Sequence, residues 1–235
     1  MALTNKLKDI ADAIREKTGS TELLTLVAMP IAIENIDTGE TNKLPGFLAY
    51  YKNGSEKWFD SITPEDLAGL TCVRPYGFAG WNGDSIAFPD GVVFTVYGGY
   101  QFLECSHLSS VTLPSDLTSI SENMFKGCAA LKQITLPSTI THIYQHAFSG
   151  AGLNSIEIPA SCKQIDSLAF YNCDGLQSVI FEGKPDSIAT NVFNGCDSTL
   201  NIYVPWSEGE VANAPWSTTT NHKITVHYNS QGGNT

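Results

Sequence analysis

Charge is what this sequence has least of. Only 16% of its 235 residues are charged, against roughly 25% in an average soluble domain. Basic groups are the scarcest: 13 Lys and Arg stand beside 24 Asp and Glu, a net charge of −11. That excludes a nucleic-acid surface, which needs clusters of Lys and Arg. It equally disfavours attachment to anionic lipid. A long apolar run is also missing. The longest, Leu23 to Ile33, contains Pro30 and falls short of the roughly 20 residues that cross a bilayer, so no membrane insertion is expected. Nor is there an apolar leader, because Asp9, Asp12 and Glu16 follow Lys6 and Lys8 where a secretory core would stand. The expectation is assembly in a cytoplasm, with the 6 cysteines as free thiols. Hydroxyls replace the missing charge, as 21 serines and 21 threonines. An apolar share of 42% keeps the chain out of the disordered class.

Catalytic signatures are missing as well. No Gly-x-Ser-x-Gly elbow and no Walker-type phosphate loop occurs. Zinc motifs pair ligands two to four residues apart, and no cysteines are so spaced. His142 and His146 lie four apart but flank the strand-like Ile143-Tyr144, with no third ligand nearby. No enzyme activity, catalytic residue, metal or cofactor is expected.

What is present is a period. Phe78, Phe102, Phe125, Phe148, Phe170 and Phe193, then Trp216, recur at steps of 24, 23, 23, 22, 23 and 23. Five more columns keep the same register. They run through Pro64, Pro89, Pro114, Pro137, Pro159 and Pro205; through Leu108, Leu131, Leu153, Leu176 and Leu200; and through Val111, Ile134, Ile156, Val179 and Ile202. The last two are Ile120, Ile143, Ile165, Ile188 and Val211, and Cys105, Cys128, Cys173 and Cys196, with Ala151 in the gap. In one unit, Leu131–Pro137 alternates apolar and polar residues around Ile134 and Leu136, as a half-buried strand does. Pro137 ends the strand, Ile143 starts a second apolar contact, and Ala147-Phe148 suits a tight helical turn. A unit this small buries its Phe and Leu only by stacking on neighbours, which makes a solenoid.

The division expected from this pattern has four parts: a helical segment over 1–37, a linker and capping hairpin over 38–60, the solenoid over 61–202, and a capping repeat with a tail over 203–235. In the first part, Leu3, Leu7, Ile10 and Ile14 form the stripe of an amphipathic helix. Pro30 opens a shorter helix with Ile33 and Ile36 on one face. Helices this short need a partner, so these six residues are the candidate anchor or oligomer face. Phe47–Tyr51, Asn53-Gly54 and Lys57–Phe59 read as the hairpin.

A ligand surface is expected where stacking puts outward residues into ladders. On the first strands these are Thr112, Thr135, Glu157, Ile180 and Tyr203; on the second stretch they are Ser121, Tyr144 and Asp166. Hydroxyls and aromatics with little charge suit carbohydrate. The same residues also suit an ordinary solvent-facing strand.

Leu136-Pro137-Ser138-Thr139-Ile140-Thr141-His142-Ile143, with Ala147-Phe148, resembles the BspA-type leucine-rich repeat, and the likeness covers about Leu67 to Val226. It implies a right-handed solenoid of short parallel strands and short helical turns. Two local departures stand out: Glu182-Gly183-Lys184-Pro185 displaces the proline, and Ala151 replaces the cysteine. Ile10–Gly19, followed by Met29-Pro30 and Ile33, resembles the leader of structural proteins from phages of Gram-positive or gut bacteria. Val204–Trp216 is similar to the end of tail- and baseplate-associated proteins of such phages. Together these imply a virion protein, assembled in the bacterial host cytoplasm. Its N-terminal helices would dock on other virion proteins and oligomerise, with a homotrimer favoured, and its solenoid would face a host-surface glycan or protein. Alternatives are a bacterial cell-surface adhesin or scaffold and, behind it, a polysaccharide depolymerase.

Overall fold

The computed structural model describes residues 48–51, 56–58, 67, 69–73, 75–94, 98–196, 199–211 and 224–230. They belong to one compact unit, Gly46–Thr235. The expected anchor face of Leu3, Leu7, Ile10, Ile14, Ile33 and Ile36 lies outside the described residues, as do the linker, Trp216 and the last five residues. Every described element is a strand. They are β1 (Leu48–Tyr51), β2 (Glu56–Trp58), β3 (Leu70–Val73), β4 (Ser85–Ala87), β5 (Val93–Phe94), β6 (Ser110–Thr112) and β7 (Ser119–Ile120), followed by β8 (His142–Ile143), β9 (Ser155–Ile158), β10 (Gln164–Ile165), β11 (Ser178–Phe181), β12 (Ser187–Ile188), β13 (Leu200–Tyr203) and β14 (Ile224–His227).

Each coil has three sides. The first carries β4 parallel to β6, then β9, β11, β13 and β14 parallel in that order. The second carries β7, β8, β10 and β12, again parallel. Proline joins the two sides. The carbonyls of Pro114, Pro137 and Pro159 accept the N–H of Leu117, Ile140 and Cys162, closing a turn just after the first strand. Ahead of the coils, β1 and β2 form an antiparallel hairpin, and β1 pairs antiparallel with β3.

The third side is neither helix nor sheet, which corrects the expected helical turn. Its N–H groups alternate between two destinations. Those of Ala147, Ser149 and Ala151 close local turns onto Tyr144, His146 and Phe148. Those of His146, Phe148 and Gly150 reach the next coil, at Ser167, Ala169 and Tyr171. A helix would direct every N–H back along its own axis. Left-handed backbone prevents that two residues before and two after the phenylalanine, at His146 (φ 55°) and Gly150 (φ 67°) for example.

Inside, the phenylalanines stack. Phe78, Phe102, Phe125, Phe148, Phe170 and Phe193 follow one another at centroid spacings of 5.2–5.6 Å, nearly parallel except for a 21° tilt at the last pair. That spacing is the coil repeat itself, set by hydrogen bonding on either side. The cysteine column explains itself in the same geometry. The thiols of Cys105, Cys128, Cys173 and Cys196 donate to the carbonyls of Phe78, Phe102, Phe148 and Phe170, at 2.9–3.2 Å. Contact with the Cys105 thiol, together with burial, pushes the Cys128 thiol far above its ordinary range. Burial does the same to Cys173, and it raises Cys162 to about 11. Protonated buried thiols are poor nucleophiles and poor metal ligands. Ala151 already fills this column once. Cys173→Ala should therefore keep the fold and cost about 1–2 kcal/mol, the scale of a small core truncation; urea unfolding checks this, and loss of the folded baseline would contradict it.

One stretch departs from the pattern. Within Leu131–Leu136, residues 133–136 alternate in burial as a strand should, yet the stretch belongs to no strand. Among the described bonds, its one main-chain link to a neighbouring first-side strand segment is Asn154 N–H to the Lys132 carbonyl, at 2.9 Å. No main-chain bond joins residues 132–136 to residues 109–113. The first side is thus split in the middle, while the same two coils stay in contact elsewhere. Phe102 and Phe125 are 5.2 Å apart, and Ile120 pairs with Ile143.

Candidate functional site

Strand register decides which predicted ladder residues meet. Glu157 pairs with Ile180, Ile180 with Tyr203, and Tyr203 with His227, so these four stand in one outward row. Glu157 is exposed; Ile180, Tyr203 and His227 are half-buried. Tyr203 and His227 stack at 4.5 Å, and the imidazole Nε2 lies 3.1 Å from Asn201 Oδ1. His227 went unrecognised in the sequence, although it stands 24 residues after Tyr203.

The second ladder is only partly as expected. Ser121 does not face outward: it is 1% exposed and its hydroxyl donates to Gln101 Oε1 at 2.6 Å. The cause is its place just after Ile120, where the chain already bends into the third side. Tyr144 and Asp166 do reach the surface, both half-buried. They meet around His142, which the sequence did not mark for this face. Its ring stacks on Tyr144 at 3.7 Å, and its Nε2 lies 3.0 Å from Asp166 Oδ2. Gln164 donates to the other oxygen of Asp166 at 2.8 Å. Ser119 is the register partner of His142, but no hydrogen bond joins its hydroxyl to the imidazole. His142, Tyr144, Gln164 and Asp166 thus form a polar patch on this side.

His146, one turn on, is different. Burial and then the Lys126 charge hold its imidazole below the ordinary value, against an opposing pull from Glu122. Its Nδ1 is buried without a partner, and Tyr171 packs edge-on beside it. A depressed histidine pKa means that the folded state binds fewer protons than the unfolded chain. Its stability contribution is present above about pH 6.5 and lost as pH falls through the folded value. Asn123 occupies the same column at φ 53°, so asparagine fits the backbone here. His146→Asn should flatten the fall of the urea midpoint as pH drops below about 6.5. An unchanged slope would rule out His146 as its source.

The split in the first side brings Thr112 and Thr135 to one cleft, apart from the Glu157–Tyr203 row. The cleft has a volume of about 450 Å³ and lies between residues 110–115 and 133–138. Val111, Leu113 and Ile134 make its floor; Ser110, Thr112, Ser115, Gln133, Thr135 and Ser138 make its lips. Floor residues show the opening. Val111 and Ile134 are each 8% exposed, where Val179 and Ile202 in the same column are 0%. No lining residue is ionisable. Thr139 closes one end, its hydroxyl bonding the carbonyls of Ser115 and Leu117 at 2.9 and 2.7 Å. Gln133, Ser110, Ser115 and Ser138 were not foreseen as site residues.

The chain matches the model for the BspA type leucine rich repeat region in six copies, over residues 60–151 and 95–223. Among solved structures it resembles a leucine rich cell surface protein from Faecalibacterium prausnitzii, at 27% identity and a TM-score of 0.50, covering 58% of this chain and 38% of that one. It also resembles a T. pallidum leucine rich repeat protein, at 23% identity and a TM-score of 0.47, covering 66% and 67%. A leucine-rich repeat protein from Bacteroides ovatus matches at 21% identity and a TM-score of 0.46, covering 71% and 49%. The chain thus spans well under half of the F. prausnitzii protein. No curated protein matches.

Proposed function

We propose, from the premise that the chain belongs to the BspA-type leucine-rich repeat family, that it is a phage virion protein whose solenoid adheres to the host surface. The observation that carries the adhesive part is the outward first-side face. Register aligns Glu157, Ile180, Tyr203 and His227 across four consecutive coils, with a stacked aromatic pair and little charge. Such a row suits the hydroxyls and apolar faces of sugars. The virion part rests on the phage-like stretches at Ile10–Gly19 and Val204–Trp216. Residues 1–37 would dock on other virion proteins and bring copies together, with three favoured. Chemistry is not needed for this role, and no enzyme activity is proposed.

A second reading has its own support. The F. prausnitzii protein of similar structure is a cell surface protein, so a bacterial surface adhesin or scaffold is the alternative. One experiment separates the two. Deleting residues 1–37 should leave a chain that no longer joins phage particles, scored by immunogold labelling of purified virions. If the truncated protein still incorporates fully, the docking role is wrong. Label on cells that carry no particle would favour the second reading.

A further inference from the structure

We infer that the cleft between residues 110–115 and 133–138 is a binding site for a neutral pyranose ring of a glycan. The inference rests on the adhesive reading above and gives it a ligand class and a location. Three observations support it. First, the cleft is built and not a loose edge. The coils that bound it touch at Phe102–Phe125 and pair at Ile120–Ile143, and Thr139 ties its end shut. It lies along the first side, between two coils.

Second, its two walls give each other no main-chain partner. Residues 132–136 make no main-chain hydrogen bond to residues 109–113, so N–H and C=O groups border the slot. Polar backbone groups seek partners, and in a cleft a ligand can supply them by displacing water. Third, the floor is apolar, the lips carry hydroxyls and one amide, and no lining group is charged. A pyranose matches this layering: its C–H face covers Val111 and Ile134, and its hydroxyls meet Thr112, Thr135 and Gln133. An acidic sugar or a phosphate would find no cation there. The volume of about 450 Å³ lies within the usual range of small-molecule sites, roughly 300–1,000 Å³. An extended peptide could also use bare backbone groups, but the slot is only about one short strand long and closed at Thr139.

The test uses the full chain on an array of neutral and acidic glycans, with an alternating Val-Thr peptide on the same surface. Thr112→Val/Thr135→Val and Tyr203→Ala are run beside it. The exposed threonines keep their branched shape as valine, and only the hydroxyls go. Neutral glycans should bind, the double variant should lose at least tenfold in affinity, and its loss should exceed that of Tyr203→Ala. In the wild-type chain, the bound glycan should shift backbone amides of 110–115 and 133–138, a readout that needs no variant. Binding of no neutral glycan, or of acidic glycans alone, overturns the inference. So does peptide binding that moves the same amides when sugars do not. Binding lost in Tyr203→Ala but unchanged in the double variant overturns the cleft and leaves the adhesive face standing.

Discussion

Phe148→Ala should lower the stability of the solenoid by about 3–5 kcal/mol, the range for emptying a buried aromatic site. Phe148 is fully buried and stacked on both faces, 5.4 Å from Phe125 and 5.3 Å from Phe170. Its own N–H is bonded to the carbonyl of Ala169 in the next coil. The cavity cannot close easily, because bonds on the second and third sides hold the coil spacing. A domain is stable by only about 5–15 kcal/mol, so this one change removes a large part of the total. Equilibrium urea unfolding measures it. A loss under about 1 kcal/mol would mean that the column is not the spine of the core.

Gly152→Ala should be nearly as severe, for the opposite reason. A Cβ there would lie 1.9 Å from the Ala129 carbonyl oxygen and 2.8 Å from its carbon. The obstacle is backbone, which cannot step aside as a side chain can. The Gly152 N–H also bonds the Cys128 carbonyl at 3.1 Å, so moving the coils apart breaks that bond too. A cost of about 3 kcal/mol is expected, the upper end for overpacking. The φ of Gly152 is ordinary, so substitution here tests space alone. Thermal unfolding of the alanine variant beside Gly209→Ala makes the contrast clear. At Gly209 nothing lies within 4 Å but φ is +83°, and the strain should stay near 1–2 kcal/mol. Equal losses at both positions would remove the close-approach argument.

The columns were legible because burial in a solenoid repeats with the chain. Phe148, Leu153, Ile156 and Ile165 could be placed inward from spacing alone, and all are buried. Two things were not legible. The helical turn expected at Ala147-Phe148 fails because alternation of hydrogen bonds between coil and turn leaves no mark in residue type, apart from the asparagines and glycines at left-handed positions. The split at Leu131–Leu136 is hidden because alternation reports which side chains face inward, and not whether the backbone has a partner. Ser155–Ile158 shows much the same pattern and pairs fully with β11. One trace was there to read. Ile134 to Ile156 is a step of 22 where its neighbours take 23. The missing residue falls between Ala151 and Leu153, at the corner that Gly152 cuts, one coil after the unpaired stretch. Ser121 failed for a simpler reason: a serine looks the same to a sequence whether it meets water or a buried glutamine.

The direction of the inter-coil hydrogen bonds has a mechanical consequence. They run from coil to coil, along the axis on which the coils stack. A force applied between the first and last coils would load one set of inter-coil bonds at a time and strip the solenoid from an end. Each released coil of 23 residues adds roughly 80 Å of extended chain. A protein built this way would lengthen under load in discrete steps and keep its remaining coils intact, as a shock-absorbing tether does.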